Sequence, residues 1–370
     1  MEEVIYVGLL IVLAGIIALE LGVPVAILEI VFGVVAFNVL GLETNQWIDF
    51  LADIGILGLM FFAGMEVDPD ILKKNFSNSI SYGALIYLLR LFAIFSVTFL
   101  FFGFSLEQSV LIGISLSTTS LALVYPIVRE RGSIKTESGQ MILSVAMVID
   151  ILSTVSLIYF VQPEQEVILL LYIVLAIAIF YLAPRISNII FSRYEENIVE
   201  IEVRFIFLFL IIVGFLAERL AISEVIFAFF LGMIFSKILA GRKDVEDKLR
   251  GIIFGFFAPI FFFKAGMLMD LRFLGIEVLE YLIVFGVIAY VCAFVFTSVV
   301  FKKKYGKNVG RCAGFIFNFR LTFGIIAAMF GLRMGILPIE IYTVIVLIIL
   351  LSSVVSSIAL RFIPPPAYVE

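Results

Sequence analysis

Four charged side chains lie deep inside apolar runs of this sequence, Arg90, Asp150, Lys264 and Arg320, and Glu29 sits about a third of the way along another. A charge at the centre of a membrane-spanning helix costs about 2.5–3.5 kcal/mol on insertion scales, so each needs a partner, a water-filled cavity or a task. Asp150 is the strongest candidate for a task. It lies in VAMVIDILSTV, with Ser153 and Thr154 one turn on. A carboxylate there holds either a proton or a small cation, and the two compete for it. The competing reading is a structural ion pair with Lys264 or Arg320. Lys264, in IFFFKAGM, can neutralise an empty Asp150 and be displaced by a cation, or carry a proton itself; a lysine reaching for an interface is the bland alternative. Arg320 stays protonated at any working pH, so it cannot carry the proton. It fixes the local field or pairs with Glu29 or another acid. Arg90 has no obvious partner and reads as structural or interfacial. The hydroxyls of Ser115, Ser117, Thr118, Thr119 and Ser120 are candidate cation ligands, although Ser and Thr in such helices commonly bond back to their own carbonyls.

The rest of the inventory narrows the chemistry. There is no histidine, so a proton carrier near neutral pH has to be a carboxylate or lysine in an unusual environment. Cys292 and Cys312 show no metal-ligand spacing and no disulfide framework, and read as packing residues. No cofactor is expected. With no histidine, no metal set and no serine–lysine pair, the chain does not read as an enzyme. A net charge of -5 argues against nucleic acid.

These side chains must be held by membrane-spanning helices. Apolar residues make up 63% of the chain and charged residues 15%, against about half and a quarter in soluble domains. Long apolar runs, not short alternating strands, recur throughout. About thirteen spans follow, near 4–20, 23–41, 50–66, 79–103, 108–128, 138–161, 166–184, 201–218, 221–240, 251–269, 277–301, 309–332 and 339–362. The first follows Met1, Glu2 and Glu3 without a basic leader and is expected to stay as a helix. Basic residues gather in alternate loops, at Lys73 and Lys74, Arg129 to Lys135, Arg185 and Arg193, Lys237 to Arg250, Lys302 to Arg311, and Arg361. The opposite loops hold Arg219, Arg272 and Arg333. Cytoplasmic loops carry the Lys/Arg excess, so the sequence predicts a multi-pass cell-membrane protein, N-terminus outside and C-terminus cytoplasmic.

The two halves echo each other. AGMEVD at Ala63–Asp68 returns as AGMLMD at Ala265–Asp270; the segment with Gly33 matches that with Gly232; Thr119–Gly132 matches Thr322–Gly335. The predicted organisation is a six-helix repeat at 1–162, a linker helix and loop at 163–199, and a second, inverted repeat at 200–370, with no soluble regulatory domain. Inverted repeats are an architecture of secondary transporters, whose sites lie where interrupted helices meet. The interruptions expected here are the hydroxyl cluster before Pro126, and Asn318, Arg320, Thr322 and Gly324.

In order along the chain, Pro24, Glu29 and Gly33, then FFAGMEVDP at Phe61–Pro69, TTSLALVYPIVRERG at Thr118–Gly132, Asp150, and PIFFFKAG at Pro259–Gly266 resemble the Kef/NapA-like branch of the monovalent cation:proton antiporters, a group of Na⁺/H⁺ exchanger type. That family usually carries two polar residues where Ile149-Asp150 stands, and an acid where Thr322 stands. The resemblance implies an all-α antiporter fold with broken crossing helices, membrane lipid around it and a homodimer. It implies exchange of Na⁺, or Li⁺ or K⁺, for H⁺ by alternating access. Asp150, Lys264 and Arg320 would be the working residues, Asp150, Thr118, Thr119 and Ser120 the cation ligands, and Glu29 and Ser153 accessory. A sodium-coupled organic-anion symporter of similar fold, K⁺/H⁺ exchange or efflux, and a gated cation channel are the competing functions.

Overall fold

The computed structural model describes residues 2–66, 76–133, 136–158, 174, 178, 181–187, 189–191, 193–194, 200–219, 224–239, 241–273 and 275–364. Among these the backbone is helical, with no strand. Among the described residues, seven helices are long and apolar enough to cross a membrane. The linker span at 166–184 falls mostly outside the described residues, as do Asp68 and Pro69.

The chain forms two compact units, each assembled from both halves of the sequence. One comprises Met1–Thr44, Pro69–Leu157 and Phe262–Glu370; the other comprises Asn45–Asp68 and Ile158–Phe261.

The first unit opens with α1 (Glu2–Leu21) and α2 (Val25–Asn38), which pack together across the short link at Gly22. Gly22 takes φ +63° there, a value glycine reaches without steric cost. α4 (Phe76–Leu100) follows, then α5 (Leu106–Ser117). Ser105 and Gln108 form a reciprocal capping box at the start of α5, satisfying donors that a helix N-terminus otherwise leaves bare. The run predicted as one span at 108–128 is two helices. α5 stops at Ser117, Thr118 and Ser120 are extended, and α6 (Leu121–Glu130) restarts the helix. α7 (Glu137–Ile158) carries Asp150.

In the second half of this unit α12 (Ile276–Ile316) runs through a kink at Gly306, where φ is +85°. The loop predicted between 301 and 309 is therefore helical backbone on both sides of one glycine. Past Phe317 the chain breaks again and resumes as α13 (Leu321–Arg333), followed by α14 (Ile339–Leu360). α4, α6, α7 and α12 share a buried core that includes Ile86, Val124, Ala146, Ile149 and Phe317.

The second unit contains α3 (Gln46–Met65), capped by Asn45 through Trp47 and Ile48 N–H, with α8 (Ile201–Arg219) and α9 (Glu224–Ile238). A polar helix, α10 (Lys243–Ile252), then leads through a π-turn at Ile253–Phe257 into α11 (Ala258–Met267), which belongs to the first unit from Phe262 onward. The segment before 251 reads as a loop in sequence. It is helical because its apolar residues, Val245 and Leu249, fall on one buried stripe while Glu246 and Arg250 pair one turn apart at 3.4 Å.

Two helix pairs show reciprocal glycine contacts. A Cβ on Gly64 would strike the carbonyl oxygen of Phe229, and one on Gly232 would strike that of Phe61. In the first unit a Cβ on Gly33 would strike Phe263 O, and one on Gly266 would strike Ile30 O. Backbones thus touch directly between α3 and α9 and between α2 and α11, as small residues allow in membrane bundles. The sequence echo carries Gly33 to Gly232 and Gly64 to Gly266. It therefore converts one pair of contacts into the other.

Candidate functional site

The candidate site residues predicted from sequence all fall in the first unit. At its centre the two chain breaks meet. Ser120 Oγ and Thr322 Oγ1 lie 2.8 Å apart, and Thr119 Oγ1 donates to Phe319 O at 3.4 Å. Glycine makes the crossing close: a Cβ on Gly324 would come within 2.8 Å of Ser115 O. Each break follows from local sequence. Thr118 to Ser120 have hydroxyls that bond nearby groups in place of the helix ladder: Thr118 Oγ1 donates to Thr119 O at 3.1 Å. At the second break Asn318 Nδ2 donates to Gly314 O at 2.9 Å, and Ser352 Oγ donates to Asn318 O at 3.3 Å.

Asp150 reaches this crossing from α7 and is 4% exposed. Its Oδ2 accepts the Leu121 N–H at 3.2 Å. Leu121 is the first residue of α6, so the carboxylate faces a helix N-terminus, where free N–H groups and the helix dipole favour negative charge. The hydroxyls next to Asp150 in sequence are otherwise engaged. Ser153 donates to Ile149 O and Thr154 to Asp150 O, each at 2.8 Å. Ser153, expected as an accessory ligand, thus bonds back along its own helix.

Arginines brace both breaks. Arg90 Nη2 donates to Thr118 O at 2.8 Å. Arg320 Nη2 donates to Asn318 Oδ1 and to Ala289 O, each at 2.8 Å. Arg320 does not pair with Glu29: its partners are an amide and a carbonyl, because Arg320 occupies the break itself and its reach is spent locally. Glu29 is buried on α2 and makes no hydrogen bond or ion pair among the described residues. Lys264 is buried on α11, one residue before Ala265, whose carbonyl accepts the Tyr342 hydroxyl at 2.8 Å.

A cavity of about 470 Å³ lies in the same unit, lined by Gly22, Pro24, Pro126, Glu130, Arg131, Phe319 and Arg361 among others. It runs from charged residues at the ends of α6 and α14 to Phe319 at the second break. Arg131 holds those ends together, donating to Leu360 O and, at 3.0 Å, to Ile363 O. No three His, Cys, Asp or Glu side chains cluster among the described residues. A cation here would meet one carboxylate, with hydroxyls and carbonyls completing its shell, a donor set suited to hard monovalent ions.

Sequence reasoning singled out Asp150, the hydroxyl cluster and Arg320, which lie at the crossing, but gave no sign of the Leu121 N–H, the Phe319 carbonyl or the bond from Arg90 to the Thr118 carbonyl. Each of the three involves a backbone atom, which side-chain identity does not mark.

Similarity to known proteins agrees with this architecture. The chain is 26% identical over 355 residues to probable Na⁺/H⁺ antiporter 3 of Methanocaldococcus jannaschii, covering 92% of this chain and 89% of that one. It is 26% identical over 368 residues to the Na⁺/H⁺-K⁺ antiporter GerN of Bacillus cereus, covering 95% and 92%. Its fold matches the solved structure of the sodium proton antiporter MjNhaP1 from M. jannaschii with a TM-score of 0.72, at 14% identity and over 98% and 97% of the two chains. The profile of the family described as sodium/hydrogen exchanger, transmembrane, matches residues 8–363, and the chain belongs to that family.

Proposed function

We propose that this multi-pass membrane protein is a secondary antiporter that exchanges Na⁺ for H⁺ at Asp150. The observation that carries the reading is the placement of one buried carboxylate against the N-terminus of α6, where two broken helices cross. Proton and cation compete for Asp150, so loading one expels the other. Bare carboxylate is costly to carry through an apolar barrier, and that cost ties conformational exchange to a loaded site. Thr118, Thr119 and Ser120 supply oxygens around the ion, with Phe319 O from the second break.

Lys264 and Arg320 set the electrostatics. Arg320 provides a fixed positive charge, and Lys264 neutralises the empty site. With one carboxylate titrating, exchange is one-for-one and electroneutral; a proton released from Lys264 as well makes it electrogenic. The cavity ending at Phe319 is the route from the basic-loop side, which the Lys/Arg distribution makes cytoplasmic. The repeats at 1–162 and 200–370, joined by 163–199, supply alternating access, and the protein works as a homodimer in lipid.

The test is exchange in proteoliposomes with an acidic interior and a pH dye. Na⁺, Li⁺, K⁺ and choline are added in turn to wild type and Asp150→Asn. Alkalinisation by Na⁺ or Li⁺ in wild type alone is the expected result, and a response to K⁺ would extend the substrate range. Exchange surviving in Asp150→Asn removes Asp150 from the mechanism. Na⁺-driven uptake of an organic anion without pH coupling would identify a symporter instead.

A further inference from the structure

The two most deeply buried guanidiniums belong to Arg90 and Arg320, both at 0% exposure. They come from different helices of the first unit and act on each other electrostatically. Cys292, on α12, lies within electrostatic reach of both. Two like charges in a low-dielectric interior repel strongly, and buried charges in proteins are normally paired. No ion pair among the described residues includes either arginine, and the hydrogen bonds they make go to the Thr118 and Ala289 carbonyls and the Asn318 amide oxygen.

Their hydrogen bonding is also incomplete. Each uses Nη2 on neutral carbonyl or amide oxygens. Nε and Nη1 of Arg90, and Nε and Nη1 of Arg320, are buried without a partner. Ser115 and Ser117, on the turn of α5 that leads to the Arg90-bound Thr118, also have buried hydroxyls without partners. Unmade buried hydrogen bonds to charged groups are more costly than neutral ones. Four buried guanidinium nitrogens without a partner, on two cations that no ion pair among the described residues neutralises, suit an acceptor that carries negative charge.

We propose that Arg90 and Arg320 together bind a small monovalent inorganic anion, of the chloride class, beside Cys292. The anion accepts from the free guanidinium N–H groups and offsets the repulsion between the arginines. It is a structural ligand of the crossing, because Arg90 holds the first break and Arg320 the second. It is distinct from the exchanged cation, which the Asp150 carboxylate attracts.

Thermal unfolding of the purified protein in detergent tests this without any transport measurement. Chloride replaces gluconate at constant Na⁺, pH and ionic strength, in wild type, Cys292→Asp and Arg90→Gln. A ligand bound only by the folded state raises stability with the logarithm of its concentration above Kd. The expected result is a saturable upward shift of Tm in wild type, reproduced by bromide. Cys292→Asp places a carboxylate beside both arginines, so it should match chloride-saturated wild type in gluconate and lose the response. Arg90→Gln, if it folds, should weaken apparent chloride affinity at least tenfold. Wild type indifferent to chloride overturns the proposal, as does an undiminished chloride response in Cys292→Asp.

Discussion

Ser120 and Thr322, 202 residues apart in sequence, share a hydrogen bond of 2.8 Å that joins the two chain breaks. Both are buried, so removing one partner strands the other. Ser120→Ala and Thr322→Val should each destabilise the protein by about 1–3 kcal/mol, and the double variant should cost less than the sum. A double-mutant cycle on thermal stability measures the coupling. Strictly additive losses would mean that the hydroxyls do not interact in solution.

If proton and cation compete at Asp150, as proposed, Na⁺ affinity must depend on pH in one direction. Acidification fills the site with protons, so apparent KM for Na⁺ should rise as pH falls, approaching about tenfold per pH unit where the protonated form dominates. The maximal rate at saturating Na⁺ should change far less. A pH-independent KM would rule out a shared site.

Lys264→Met separates the two stoichiometries. If Lys264 only offsets charge, the variant keeps electroneutral exchange with altered ion affinity. Loss of a potential-sensitive component, read with valinomycin-clamped proteoliposomes, would show that Lys264 releases a proton in each cycle.

The cavity beside Phe319 predicts aqueous access from the side that the basic loops propose as cytoplasmic. In a background with Cys292 and Cys312 replaced by serine, Leu123→Cys and Ser357→Cys line that cavity. Both should react with a membrane-impermeant thiol reagent applied to inside-out vesicles and resist it in right-side-out vesicles. The reverse pattern would invert the topology derived from the basic loops.

Glycine contacts give a graded stability series. Gly33→Ala and Gly232→Ala force a methyl group into a backbone carbonyl and should cost at least about 1–3 kcal/mol. Gly8→Ala, on α1 with nothing within 4 Å of the added carbon, should be neutral or slightly stabilising. Melting temperatures of the three variants decide it.

Much of this architecture was legible in sequence because membrane insertion writes itself in composition. Span positions, the position of Asp150 mid-helix and the echo of the two halves follow from apolar runs and their punctuation. The break at Thr118–Ser120 was legible from its crowd of hydroxyls, and the second break from its offset to the first. What stayed hidden is backbone chemistry. The Leu121 N–H that receives Asp150, and the Thr118 carbonyl that receives Arg90, have no side-chain signature, so Arg90 looked partnerless. α10 was hidden for another reason: its polarity matches a loop, and only its two-residue buried stripe reveals a helix.

The reciprocal glycine contacts restrict how this protein can move. Where two backbones touch at a pair of glycines, sliding one helix along the other by a single residue would drive a side chain into a carbonyl. The pair is locked in register like a ratchet with one tooth. α2 with α11 at one place, and α3 with α9 at another, must therefore travel as rigid couples through any transport cycle. Shear along those seams would meet backbone carbonyls, so the displacement that the proposed alternating access needs has to be taken up at other joints.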